Sequence, residues 1–219
     1  AHEQVKSPAH LGAIYLRSVG RGAPLVLNVP PTKEGDYAED AYEALRIFGA
    51  SWRATREPIL TATAEELELT APVQVDDTDE LEVLCVLGEG EDEAVLTWRF
   101  PSPQVFNLVS LREQILLGQR VSGFKLELLN GDGEWELATQ GASVGALRLM
   151  TLDRLPGQGE GRAFHGLRLR LQTLSGYAPV VVRSLALHRL APAWDEQEIY
   201  EWLNKKVAGS VPGWTIEEE

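Results

Sequence analysis

Among side chains able to do chemistry in this 219-residue sequence, carboxylates dominate: 33 Asp and Glu stand against 20 Lys and Arg, a formal charge of −13. The densest acidic run is Asp76-Asp77-Thr78-Asp79-Glu80. Ca2+ takes roughly 6–8 oxygens, so a structural Ca2+ on Asp76, Asp77 and Asp79 is one use of it. A solvated acidic loop is the commoner one. No other cofactor is expected. His2, His10, His165 and His188 share no metal-ligand spacing and have no cysteine beside them, which argues against zinc. Cys85, the single cysteine, lies in Val83-Leu84-Cys85-Val86-Leu87 and reads as a small buried hydrophobe with no disulfide partner in the chain. Trp98 and Trp135 are candidates to stack on a sugar ring, although both fall in strand-like stretches, where packing is the ordinary use. The acidic balance removes long-range attraction to phosphate backbones and anionic lipid surfaces. No apolar run approaches the roughly 20 residues of a membrane span. Nucleic acid and membrane are therefore poor partners; a neutral molecule such as a sugar meets no such penalty.

The elements that would position these groups fall into three stretches. Residues 1–57 read as helix, strand, helix. Ser7-Pro8 gives an N-cap followed by proline at the first helical position, and Leu11, Ile14, Tyr15 and Val19 follow at helical spacing until Gly20 and Gly22. Leu25-Val26-Leu27-Asn28-Val29 is apolar on successive residues, as a strand covered on both faces is, and Pro30-Pro31 ends it. Tyr42, Leu45, Phe48 and Trp52 then mark a second helix to about Arg56. A strand of this kind needs neighbours on both edges, and no further βα units follow. A complete (β/α)8 barrel needs about 250 residues, so the remaining barrel strands are expected on a segment ahead of Ala1. Asn28 would stand at the C-terminal end of a barrel strand, where such folds build active sites; capping the backbone before Pro30 is its more ordinary use.

From residue 58 to 190 the texture changes to short strands at roughly 8–12-residue spacing, the signature of a β-sandwich. Ten are expected: 59–65, 68–75, 81–87, 94–100, 105–112, 121–129, 135–139, 144–152, 165–172 and 180–190. Leu167, Leu169 and Leu171 alternate with Arg168 and Arg170, and Asn130-Gly131-Asp132-Gly133 is a hairpin turn. Residues 191–219 form the tail, with a helix capped by Asp195 through about Val207.

Three stretches together resemble the C-terminal part of a family 29 glycoside hydrolase, the α-L-fucosidases. The first is Val5-Lys6-Ser7-Pro8-Ala9-His10-Leu11, continuing through Ser18-Val19-Gly20-Arg21-Gly22 to Leu25-Val26-Leu27-Asn28-Val29-Pro30-Pro31. It is similar to the family's last barrel helix but one and its eighth strand. The second, Ala44-Leu45-Arg46-Ile47-Phe48-Gly49, is similar to the final barrel helix. The third is Phe106-Asn107 with Leu111-Arg112-Glu113-Gln114-Ile115-Leu116-Leu117-Gly118-Gln119-Arg120-Val121, continued by Trp135-Glu136-Leu137-Ala138 and Val144-Gly145. It resembles the galactose-binding-like sandwich that follows the barrel. The likeness covers about residues 3–190, with Pro24 a departure at the strand entrance.

The resemblance implies an α/β fragment, the last helix–strand–helix of a TIM-type barrel, followed by an all-β jelly-roll or discoidin-like sandwich and a short C-terminal helix. It implies a retaining exo-fucosidase acting on fucosylated oligosaccharides, with α-1,3/1,4 linkages favoured. The two carboxylates of that mechanism, roughly 5–5.5 Å apart, would lie on barrel strands ahead of residue 1, and no Asp or Glu of this chain takes their place. The chain alone is expected to be inactive. Glu113, Gln119 and Arg120 would either reach the sugar beside fucose or, the favoured reading, lock the sandwich to the barrel. The rival reading is a non-catalytic carbohydrate-binding sandwich.

Overall fold

The computed structural model describes residues 5–70, 83–87, 93–152, 161–173 and 179–204. Ser7 starts the first helix as its sequence demands: the hydroxyl accepts from the His10 amide at 3.0 Å and Pro8 opens α1 (Pro8–Arg17). The Ser18 hydroxyl closes it by donating to the Ile14 carbonyl at 2.7 Å. A 3-10 turn (Val19–Arg21) follows and ends at Gly22, whose φ of +80° suits glycine. The second helix, α2, runs Glu39–Arg56.

Between these helices the structure corrects one expectation. Leu25–Val29 belongs to no sheet, and the nearest bridge is Pro31 with Tyr37, across the following loop. Leu25, Leu27 and Val29 are half-buried while Asn28 is exposed, and Val26 is 89% exposed. The physical reason is that a ladder needs a partner. Among the described residues none lies alongside this segment.

The sandwich that follows contains β1 (Leu60–Thr61), β2 (Leu67–Leu69), β3 (Cys85–Leu87), β4 (Ala94–Gln104), β5 (Leu108–Glu113), β6 (Val121–Leu129), β7 (Trp135–Gly141), β8 (Arg148–Thr151), β9 (Phe164–Thr173) and β10 (Val180–His188). One sheet has the order β1-β10-β5-β8, with β3 also on β10; the other is β2-β4-β9-β6-β7, and every pairing is antiparallel. Leu167, Leu169 and Leu171 are wholly buried between the sheets. An edge-to-face run, Trp98–Phe100–Phe106–Phe164, crosses the same core with centroids 5.0, 5.9 and 5.8 Å apart.

Several strands are shorter than expected. The stretch 59–65 yields only Leu60–Thr61, because a 3-10 turn, Ala64–Glu66, begins at once under a Thr63/Glu66 capping box. The stretch 144–152 keeps only Arg148–Thr151, since the Gly145 amide goes to a side chain instead of a ladder. The β6–β7 hairpin forms where expected, with Asn130 Oδ1 accepting from the amides of Asp132 (3.0 Å) and Glu134 (2.8 Å).

The helices cover the outer face of the β5–β8 side. Ala9 and Leu16 of α1, Leu108, Leu149, Leu190, Trp194 and Ile199 make a second core, with Phe48 and Trp52 of α2 packed on it. Gly12 keeps this packing close, since a Cβ there would stand 3.1 Å from the Trp194 indole. The last helix, α3 (Glu196–Asn204), begins where Asp195 Oδ1 accepts from the Glu198 amide at 2.8 Å. Its expected continuation to Val207 lies outside the described residues.

Candidate functional site

Glu113, at the end of β5, is 3% exposed, and its carboxylate is used entirely by backbone. One oxygen accepts from the amides of Arg120 (2.5 Å) and Val121 (3.1 Å), the other from Gly145 (3.1 Å). Buried ionised oxygens are tolerated only when their acceptor capacity is filled, and charge-assisted bonds to amides are among the strongest ways to fill it. So committed, Glu113 is a positioning group that ties the backbone of residues 120, 121 and 145 to the end of β5. Arg120 donates to the Pro179 carbonyl at 2.7 Å, and the Gln119 amide oxygen lies 3.7 Å from the point a Cβ would occupy on Gly145. The structure thus brings Glu113, Gln119 and Arg120 together, around the loops of the sandwich itself. Asn28 lies apart, exposed in the unpaired segment.

Charged groups on the second sheet are engaged with one another. On the water-facing side of β9, Glu127 accepts from Arg168 (2.6 Å) and Arg170 (3.0 Å). Burial alone would raise the Glu127 pKa; the two arginines outweigh it and hold the carboxyl below its usual range. Hydrogen bonds from Arg162 and Asn130 lower Glu136 similarly.

The two tryptophans singled out for sugar stacking are engaged as well. Trp98 is fully buried, and the Arg168 guanidinium covers a face of Trp135 at 4.4 Å from the ring centre. Cys85 is buried, and burial pushes its thiol up to about 12, so it stays an inert apolar filler at neutral pH. Asp76, Asp77 and Asp79 lie outside the described residues. Among the described residues no three His, Cys, Asp or Glu gather as a metal site, and no helix is long and apolar enough to cross a membrane.

Two buried polar nodes escape a sequence reading. His188 Nδ1 donates to the Thr55 carbonyl (3.2 Å) while Nε2 accepts from the Ser110 hydroxyl (2.8 Å), which ties the end of α2 to the sheet. Asn107 receives the Leu190 amide (2.8 Å) and donates to Glu196 (2.8 Å). Their partners are 78 to 133 residues away, so no local pattern announces them.

No family model matches the chain. A curated relative, alpha-L-fucosidase 1 of Arabidopsis thaliana, is 32% identical over 161 residues, covering 68% of this chain and 31% of its own length. Among solved structures, SpGH29 superposes with a TM-score of 0.69 at 27% identity, covering 86% of this chain and 40% of that one. A Ruminococcus gnavus GH29 fucosidase crystallised with fucose superposes at 0.66 and shares 23% identity over 86% of this chain and 38% of its own, a likeness of fold. The chain spans about a third of the curated relatives it matches. Its mixed architecture, rich in sheet with few helices, matches the part of these fucosidases on which it superposes. By sequence and by fold the chain belongs to glycoside hydrolase family 29, as the homologue of a C-terminal part of its α-L-fucosidases.

Proposed function

We propose that this chain is the C-terminal portion of a retaining exo-α-L-fucosidase, and that it supplies the last strand and two helices of the catalytic barrel together with the sandwich that braces them. The observation that carries the reading is segment 23–30. It is an apolar stretch held between two helices docked on the sandwich, yet among the described residues no strand lies beside it, and Val26 is 89% exposed. A strand apolar on both faces is stable only inside a sheet covered on both sides. The rest of the barrel would supply those neighbours, and with them the nucleophile and the acid. In that barrel Asn28 would stand at the C-terminal rim, the face on which such folds build their active sites. The substrate class is a terminal α-fucosyl oligosaccharide, with α-1,3/1,4 linkages preferred. Any Ca2+ on Asp76, Asp77 and Asp79 would be structural.

The test is turnover of an aryl α-L-fucoside. The purified chain gives none, and the longer protein that carries the barrel gives fucose with retained configuration. Hydrolysis by residues 1–219 alone would overturn the reading. So would a longer protein that is folded but inert.

A further inference from the structure

Residues 114–120 form a loop that is rigid at its base and apolar at its tip. Ile115 is 45% and Leu116 78% exposed. The base is fixed from several sides. The Gln114 amide donates to the Val181 carbonyl at 2.9 Å, the Gln114 side chain accepts from the Leu116 amide at 3.4 Å, and Gly118 turns the chain at φ +89°. Glu113 then draws in the amides of Arg120 and Val121. With the base so held, Ile115 and Leu116 stand side by side in water as a small apolar tip.

The loop adjoins the unpaired segment. Glu113 also holds Gly145, and the Leu147 carbonyl lies 3.9 Å from the Cβ position of Gly22, just ahead of residues 23–30. Residues 145–147 therefore link the base of loop 114–120 to the turn just ahead of the unpaired segment.

We propose that the Ile115–Leu116 tip docks into an apolar recess on the barrel portion absent from this chain, with Glu113 as the positioning residue. This rests on the barrel reading above. The chain spans 40% of SpGH29, so in a protein of that size the larger part must seat against this piece. A second copy is the poorer occupant, because each copy carries a charge of −13 and like charges repel.

Amide hydrogen exchange tests the proposal in the chain and in the longer protein that carries the barrel. Exchange at residues 115–118 is expected to slow about tenfold or more in the longer protein. Leu116→Asp should leave the thermal midpoint of the isolated chain in place and lower that of the longer protein. Equal exchange in both proteins, or an unmoved midpoint in the longer one, overturns the docking contact. A dimer of the isolated chain that Leu116→Asp dissolves assigns the tip to a second copy and overturns it equally. Fucoside turnover is scored separately: a protected loop in an inert protein sinks the catalytic reading alone, and an active protein with an unprotected loop sinks the docking alone.

Discussion

Two apolar extended stretches of this chain meet opposite fates. In β9, Leu167, Leu169 and Leu171 are flanked by β4 on one edge and β6 on the other and exclude water completely. In the stretch Leu25–Val29 comparable side chains stand with no ladder on either edge, and Val26 meets water almost in full. Hydrophobicity is the same kind of signal in both. The difference is whether, among the described residues, a strand lies alongside. Strand β9 alternates leucine with arginine because one face is finished by this chain's own core and the other by water. The unpaired stretch lacks that alternation, which is the sequence pattern expected of a strand covered on both sides.

The largest expected effect comes from the paired stretch. Leu169 is fully buried at the centre of its sheet, so Leu169→Ala should cost about 3–5 kcal/mol through lost transfer energy and a cavity, read as a lower denaturant midpoint with unchanged slope. A cost under 1 kcal/mol would mean that this core is not closed. Next in size is Glu113→Ala, which strands three backbone amides around a 3%-exposed site and should cost about 2–4 kcal/mol. Glu113→Gln, which keeps one acceptor oxygen, should recover part of that loss.

Legibility divides along the same line. The Ser7 cap, the Asn130 hairpin and the span of β6 were readable because their determinants sit within a few residues of one another. The alternation in β9 gave its buried face directly. The role of Glu113 was not readable, since its amides come from residues 120, 121 and 145, which only the folded loops bring together. The short strands β1 and β8 were overdrawn because apolar content alone does not mark where a capping box or a side-chain acceptor ends a ladder. For Leu25–Val29 the apolar run signals strand, and among the described residues none pairs with it, because composition does not say where a partner lies.

Smaller effects come from groups that tie elements to the sandwich. Burial lowers the His188 pKa, against hydrogen bonds to the backbone at Thr55 to Glu57, which raise it, so the folded chain prefers the neutral ring. The unfolded chain takes up a proton below about pH 6.5 that the folded one resists. Stability is therefore complete above that pH and declines as pH falls through it toward the lowered folded value. His188→Gln should flatten this limb between pH 7.5 and 5; an unchanged limb would place the titration elsewhere. Glu127→Gln should cost only about 0.5–1 kcal/mol, because the Arg168 and Arg170 contacts are partly solvated. The carboxyl is lowered in the folded state, so that increment is present above its usual range and disappears as pH falls through the folded pKa.

The smallest expected effect is the one that most sharpens the comparison. Val26→Asp places a charge in the middle of the most apolar part of the unpaired stretch. At 89% exposure the carboxylate stays hydrated, so in the isolated chain the unfolding midpoint should move by no more than about 0.5 kcal/mol equivalent. In a barrel, position 26 would face a packed layer on one side of the sheet. The same substitution would then bury an unpaired carboxylate, at a cost of several kcal/mol, and abolish fucoside turnover. A silent variant in both settings would mean that Leu25–Val29 joins no sheet in either. A large loss in the isolated chain would mean that the stretch is already covered by residues of this chain. Only silence in one and loss in the other fits a strand whose neighbours come from outside.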